Sequence, residues 1–186
     1  MSGWYEATLR AELSQGDVFS GVPFTTLKEP LTHLTKGSTG KGALIWQPSV
    51  GADNSSSTPK HCLAHYRIGC GIIVSHDCAI DKPNRTTRFM FAPVHPLDNL
   101  PPSVQEAVRA QSHLAHMYLP AIGGMSESAL DLRLMQPVPK DLVDSFTRVA
   151  SLTDAGRERL QTALIAFFVN RDRTQTAGDA DGLPEK

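Results

Sequence analysis

Strand patterns fill the first half of this chain and helix patterns fill the second half, and this order constrains the fold more than any other feature. Three consecutive β-branched residues, Ile72–Val74, follow a bend at Gly69–Gly71 and predict a strand that is buried on both sides. The run Arg88–Val94 predicts a second strand, antiparallel to the first. Because strands and helices do not alternate along the chain, we expect an α+β, mainly β fold and not a parallel doubly wound sheet.

Further elements follow from periodicity. Alternating apolar residues predict strands at Asp17–Phe24 and Ala129–Gln136, and in the latter Leu130, Leu132 and Leu134 point inward while Asp131 and Arg133 point outward. A capping box at Ser103–Glu106 predicts a helix that continues to residue 118 and carries His113 and His116 on one face, where exposed histidines are commoner than metal ligands. A second cap at Ser151–Asp154 opens a helix with apolar residues at helical spacing.

The domain organisation follows from length and composition. A chain of 186 residues, 40% of them hydrophobic, can bury the core of one globular domain. We expect this domain over residues 1–170, with a small β-barrel core at about 14–136 and a C-terminal helix at about 152–170. The polar segment 171–186 is predicted to be a disordered tail.

Charge and cysteine content restrict the environment. The formal net charge of -1 excludes a globally basic nucleic-acid binder but not a local basic patch. Three cysteines cannot all pair within one chain, so a reducing compartment is expected. No run approaches the ~20 apolar residues of a membrane span, and the first residues do not have the pattern of a secretory signal. These features predict a cytoplasmic protein with no membrane partner.

Three short motifs occur in an order that resembles the PemK/MazF toxin family. Gly16–Val18 opens a strand, Gly71–Asp77 (GIIVSHD) ends one in serine, and Ala92–Val94 (APV) ends the next. The resemblance covers about residues 14–97 and implies a small SH3-like barrel, here with added helices, that cuts RNA without a metal or cofactor. It also implies RNA or a protein partner such as an antitoxin, and a homodimer as one expected assembly.

The resemblance has departures. Gly69–Gly71 replaces the Arg-Pro pair that usually precedes the serine-ended strand, and the helix at 151–170 lies outside the pattern of the short toxins. The fold can carry over without the nuclease activity, because function depends on the site and not on the fold. An endoribonuclease and a descendant that only binds RNA are therefore both open.

RNA cleavage needs a base for the 2′-hydroxyl, an acid for the leaving oxygen and a cation for the phosphorane. His76 and His95 have the chemistry of the acid and base, and Arg85 that of the cation. Ser75 and Asp77 flank His76 and complete the candidate catalytic set. A basic, hydroxyl-rich turn at Lys82–Arg88 (KPNRTTR) suits phosphate contact. The predicted substrate-binding residues are Arg67, Lys82, Thr86 and Arg88.

Crowding of cysteine and histidine offers a different function. All three cysteines lie between Cys62 and Cys78, among several histidines. Zinc is held by four such ligands, usually as two close pairs. The alternative prediction is a non-catalytic, zinc-stabilised interaction module with the ligands Cys62, His65, His76 and Cys78. Against it stand the missing C-x2-C pair and the frequency of buried structural cysteines.

A third interpretation is a cysteine-dependent hydrolase. His76 and Cys78 lie two residues apart, so on a strand they would share a face and could form a thiolate–imidazole pair. Neighbours in sequence cannot form a triad among themselves, because their side chains alternate between the two faces. No local signature supports this interpretation.

Overall fold

A computed structural model describes residues 3–26, 32–38, 44–50, 61–62, 65–80 and 87–180. Side chains are described at 3–25, 65–80 and 87–169. The chain divides into two compact units. One unit contains Met1–Val22 and Gly69–Lys186, and the other contains Pro23–Ile68.

The large unit is built on a mostly antiparallel, seven-stranded sheet. Its strands pair in the order β10-β1-β5-β6-β8-β7, and β9 pairs with β6. The strands of this sheet are β1 Asp17–Thr26, β5 His65–Ile73, β6 Arg88–Pro96, β7 His116–Leu119, β8 Ser128–Asp131, β9 Gln136–Pro139 and β10 Thr147–Ser151. The α+β, mainly β class predicted from the sequence is confirmed.

The small unit contains a three-stranded sheet of order β3-β2-β4. Its strands are β2 Thr32–Ser38, β3 Leu44–Val50 and β4 His61–Cys62. Strand β2 pairs antiparallel with both neighbours, from Thr32↔Val50 to Ser38↔Leu44 on one side and at His33↔Cys62 on the other.

The predicted central strand pair is confirmed. Strands β5 and β6 are antiparallel neighbours, with Cys70 opposite Val94 and Ile73 opposite Phe91. Ile72, Ile73 and Phe91 are fully buried, as the consecutive apolar residues required. Strand β6 pairs with two further strands: its first half pairs with β9 and its last part pairs with β8.

Four helices lie in the part of the chain that the structure describes: α1 Asp77–Ile80, α2 Pro102–Arg109, α3 Lys140–Val143 and α4 Asp154–Ala180. The predicted capping box is wrong, because α2 starts at Pro102 and Pro101 caps it with no side-chain hydrogen bond. Helix α2 ends at Arg109, and residues 116–119 form strand β7 where a helix was expected. The predicted strand Ala129–Gln136 ends at Asp131, where a 3₁₀ turn follows and leaves Leu134 exposed.

Helix α4 supplies one side of the core. Leu160 and Phe167 are buried against the sheet, as the helical spacing predicted, whereas Phe168 is 55% exposed. The helix continues through Ala180, beyond the end expected near residue 170. Across the described residues, no helix is long and apolar enough to span a membrane.

Replacing Thr153 with alanine is expected to lower the free energy of unfolding by about 1 kcal/mol, because Thr153 caps α4. Its hydroxyl oxygen accepts a hydrogen bond from the Gly156 amide at 3.1 Å and donates one to the Gly3 carbonyl oxygen at 2.7 Å. Urea unfolding of the two proteins measures the loss. Thr153→Ser keeps both hydrogen bonds and should stay close to the wild type, so an equal loss in both variants would contradict capping.

Candidate functional site

A buried cluster of polar side chains in the large unit lies where β7 and β8 pair. His116 on β7 is the direct register partner of Asp131 on β8. Side chains of directly opposite residues in an antiparallel pair lie next to each other on the same face. Both side chains are only 4% exposed, so this is a buried polar pair that needs hydrogen-bond partners.

Arg133 supplies those partners. Its Nε and Nη2 donate to the two carboxylate oxygens of Asp131 at 3.0 and 2.8 Å, and its backbone amide donates to Asp131 Oδ1 at 3.0 Å. The 3₁₀ turn that follows β8 brings Arg133 back onto Asp131. Burial raises the pKa of Asp131, but hydrogen bonds from His116 and Arg133 outweigh it and hold this pKa well below its usual range.

A second histidine meets the first. The Nδ1 atoms of His113 and His116 are 3.0 Å apart, and the Ala115 amide donates to His113 Nδ1 at 3.3 Å. His113 Nδ1 is thus the acceptor in both contacts, and in the neutral pair the shared proton belongs to His116 Nδ1. His116 Nε2 lies 3.1 Å from Arg133 Nη2 and 3.4 Å from Asp131 Oδ2.

This assignment decides what His113 offers to solvent. With Nδ1 as an acceptor, the neutral ring carries its proton on Nε2, and no described residue hydrogen-bonds to that atom. Burial lowers the pKa of His113, and the nearby His116 and Arg133 lower it further, against the opposing effect of Asp131. At neutral pH His113 is therefore an uncharged imidazole with a free N–H.

His113 and His116 line an open cavity of about 490 Å³, which we call the histidine cleft. Its other polar lining residues are Gln111 and Ser112 after α2, and Arg159 and Thr162 on α4. The volume is within the range of small-molecule sites. Arg159 lies over the ring of Trp4, with Cζ 4.5 Å from the ring centroid.

Gln111 lines the cleft and has an unfavourable backbone conformation. It has a φ of 57°, and hydrogen bonds from Gln111 N to Val108 O and from Ser112 N to Ala107 O form the turn that usually ends a helix with glycine. A side chain in this left-handed conformation costs about 1 kcal/mol. The chain places an amide side chain at the cleft in a position that favours glycine.

The histidine pair can pass protons in both directions. An additional proton has one available position, His116 Nε2, which lies 3.4 Å from Asp131 Oδ2. When the pair carries this additional proton and gives His113 Nε2–H to a ligand, the His116 Nδ1 proton moves to His113 Nδ1, and the pair is left neutral with His116 keeping its Nε2 proton. The reverse sequence accepts a proton at His113 Nε2. The cleft therefore contains a general acid and base supported by a buried carboxylate.

The predicted catalytic residues near the end of β5 have structural partners. Ser75 Oγ accepts a hydrogen bond from the Met90 amide at 2.7 Å. Asp77 accepts from the Gln15 amide at 2.6 Å and from Arg157 at 3.1 Å. His76 is exposed, and its Nδ1 accepts from the Cys78 amide at 3.2 Å. The expectation that His76 and Cys78 share a strand face is wrong, since β5 ends at Ile73 and Cys78 lies in α1.

The other predicted RNA contacts are only partly described. Arg67 is exposed on β5, and Arg88 is exposed at the start of β6. His95 is half-buried on β6, opposite Ala129 of β8. The remaining three predicted residues, Lys82, Arg85 and Thr86, lie outside the described residues. The residues known to line the histidine cleft include none of the predicted set.

The zinc alternative stays a prediction. His65 and Cys78 are exposed, and the side chain of Cys62 lies outside the described part of the chain. Within that part, no group of three or more His, Cys, Asp or Glu residues is arranged to hold a metal ion. Cys70 is half-buried, and burial raises the pKa of its thiol, which disfavours the thiolate that a metal or a nucleophile requires.

Sequence reasoning missed Asp131 and Arg133, and it placed His113 and His116 on the wrong element. One signal was available, because a carboxylate and a guanidinium two residues apart in the apolar run ALDLRL can pair with each other. The contact between His116 and Asp131 had no such local signal, because it depends on the register of β7 against β8.

Comparison of the chain with models of known protein families, with curated proteins and with solved structures gives no match. The geometry of the histidine cleft is therefore the basis for a functional proposal.

Proposed function

We propose that this chain is an RNA-directed, PemK/MazF-like protein, and that it cleaves the RNA backbone at the histidine cleft. The observation that carries the proposal is the contact between His113 and His116, backed by Asp131 and Arg133. Cleavage by the 2′-hydroxyl needs a group that accepts the proton of this hydroxyl and a group that delivers a proton to the leaving oxygen, and His113 supported by His116 can do both. Protons and a cation suffice for this chemistry, so the proposed enzyme is metal-independent.

The placement of the sequence motifs supports the family part of the proposal. Gly16–Val18 opens β1, Gly71–Asp77 contains the end of β5, and Ala92–Val94 lies on β6 beside it. This is the order of strands that the resemblance implies. The proposal also includes an SH3-like arrangement of these strands, a cytoplasmic location and a protein partner such as an antitoxin.

The proposed reaction moves one proton. His113 Nε2, with its proton placed instead on Nδ1 and shared with His116, accepts the proton of the 2′-hydroxyl. The 2′-oxygen bonds to phosphorus, and the bond from phosphorus to the 5′-oxygen breaks. His113 returns the proton to the departing 5′-oxygen, so the products are a 2′,3′-cyclic phosphate and a 5′-hydroxyl. In this order of protons His116 carries its proton on Nε2, 3.4 Å from Asp131 Oδ2.

Incubation with unstructured and structured RNA tests the proposal. We expect cleavage that persists in EDTA and leaves cyclic phosphate ends, and His113→Ala should slow it about 100-fold, the size of a typical acid–base contribution. Thermal unfolding verifies that the variant is folded.

His76→Ala is the matched histidine variant, and Arg85→Ala accompanies it. Loss of cleavage in these two proteins with full activity in His113→Ala would move the chemistry to the end of β5. RNA that stays intact with the wild type rejects the enzyme, and RNA binding in that case would favour the binding-only form.

A further inference from the structure

We propose that Arg159, stacked on Trp4, forms a phosphate-binding subsite of the histidine cleft together with the side-chain amide of Gln111. The subsite recognises a phosphate group through its oxygens. The inference rests on the proposed function only where it names RNA as the natural source of that phosphate.

The stacking prepares Arg159 for an anion. Its guanidinium carbon lies 4.5 Å from the centroid of the Trp4 ring, a distance at which cation and ring attract each other. A guanidinium that stacks on an aromatic face keeps its N–H groups at the edges, where they can donate to two oxygens of one phosphate. Trp4 thus limits the freedom of a long side chain without occupying its donors.

In the part of the chain whose side chains are described, Arg159 lines the cleft and donates to no carboxylate. Five described arginines of the large unit are paired with carboxylates, and the cavity at Arg10, Asp77 and Arg157 contains two of these guanidinium groups. The paired arginines are Arg10, Arg109, Arg133, Arg148 and Arg157.

Gln111 adds a second donor that the fold does not otherwise use. Its side chain lines the same cleft, and within the described residues its amide has no hydrogen-bond partner. Its backbone is in the left-handed region at φ 57°, where glycine would be free of strain. Strained positions of this kind cluster at binding sites. The strain and the free amide together point to a ligand-binding role.

The chemistry of the cleft fits a phosphate group better than a cation or an apolar ligand. Arg159 is positive, His113 presents an N–H, and Gln111 presents an amide, so three donors line one cavity. The carboxylate of the site, Asp131, is buried and bound to Arg133. The cavity of about 490 Å³ has room for a phosphate with an attached nucleoside.

Titration with inorganic phosphate, followed by ¹⁵N–¹H spectra of the full chain, tests the subsite. We expect saturable shifts of the Arg159 Nε–H and Gln111 amide signals. Arg159→Gln should weaken phosphate binding at least about tenfold, as expected for loss of a charge-assisted contact. Arg159→Lys should recover only part of the affinity, because the ammonium cannot stack or donate as a fork. Lys140→Gln removes the same charge outside the cleft and is the control.

Equal phosphate affinity in the wild type and Arg159→Gln would overturn the proposal, as would shifts confined to residues outside the cleft. Uridine 3′-monophosphate distinguishes a free phosphate from a nucleotide phosphate. Binding at least as tight as that of inorganic phosphate supports the subsite. Nucleotide binding with no phosphate binding contradicts it, because the base and sugar would then carry recognition.

Gln111→Gly separates binding from stability. This variant should raise the thermal midpoint by about 2 °C, since glycine relieves the left-handed strain. It should also weaken phosphate binding about threefold through loss of the amide. Unchanged affinity would remove Gln111 from the subsite.

The subsite and the proposed enzyme can fail separately. If phosphate binds as described but RNA stays intact, the subsite holds and the nuclease does not. If RNA is cut but the wild type and Arg159→Gln bind phosphate with equal affinity, the enzyme holds and the subsite is rejected.

Discussion

Replacing Asp131 with alanine should lower the free energy of unfolding by about 3 kcal/mol, because removal of one partner leaves the others with unmet hydrogen bonds. The carboxylate is 4% exposed and accepts three hydrogen bonds from Arg133. Arg133 itself is 56% exposed, so water can solvate its charge, and the loss should fall at the lower end of the range for buried ion pairs. Chemical denaturation at pH 7 measures the difference.

Asp131→Asn is the matched variant. It keeps the shape and one acceptor oxygen but removes the charge, so its loss should be smaller than that of the alanine variant. It should still slow RNA cleavage, because an amide favours the proton on His116 Nε2 less than a carboxylate does. A loss below about 1 kcal/mol in the alanine variant would contradict the buried network.

The stability of the protein should decrease as the pH falls, because folding lowers the pKa of both Asp131 and His113. The pKa of Asp131 is depressed by folding, so its contribution is complete above the unfolded value near 4 and is lost as the pH falls through the folded value. The pKa of His113 is also lowered, so below about pH 6.5 the unfolded chain binds more protons and stability decreases. Chemical unfolding at pH 7, 5.5 and 4 measures this. The free energy of unfolding should decrease between pH 7 and pH 5.5 in the wild type but not in His113→Gln.

Local patterns predicted the elements that are held by local rules. The alternation at Asp17–Phe24 predicted β1, because alternation is typical of a strand with one buried face. The consecutive β-branched residues at Ile72–Val74 predicted the end of β5, because such a run is typical of a strand with both faces buried. The 3.6-residue period predicted the α4 face with Leu160 and Phe167. The antiparallel pairing of β5 and β6 followed, since consecutive strands of a chain are often neighbours in a sheet.

The site could not be predicted in the same way. Alternation placed Asp131 on the face predicted to be in contact with solvent. That face is covered as well, because Ala129, which lies on the same face of β8, packs with Val108 of α2. The helix expected through His113 and His116 stops early, because Gln111 adopts a positive φ that no glycine announces. The site is formed by the carboxylate of Asp131, the register of β7 against β8 and the strained turn at Gln111. Local sequence patterns do not predict any of these three features.

Replacing Gly156 with alanine should destabilise the protein by about 2 kcal/mol, although alanine is normally the better helix residue by about 1 kcal/mol. A Cβ at this position in α4 would lie 2.7 Å from the Trp4 carbonyl oxygen and 3.2 Å from Leu152 Cβ. The first contact is to backbone, so a side-chain rotation cannot relieve it. At Gly156 the N-terminal segment therefore lies too close to α4 to leave room for a side chain.

The same substitution should reach the phosphate subsite. To make room, the Trp4 backbone must move, which weakens the 2.9 Å hydrogen bond from the Thr153 amide to the Trp4 carbonyl and shifts the ring beneath Arg159. We expect phosphate affinity and stability to fall together in Gly156→Ala. Gly69→Ala is the control, because a Cβ there meets no atom within 4 Å and should change neither quantity. Normal stability in Gly156→Ala would contradict the close approach, and normal phosphate binding in a destabilised protein would show that Arg159 does not depend on the position of Trp4.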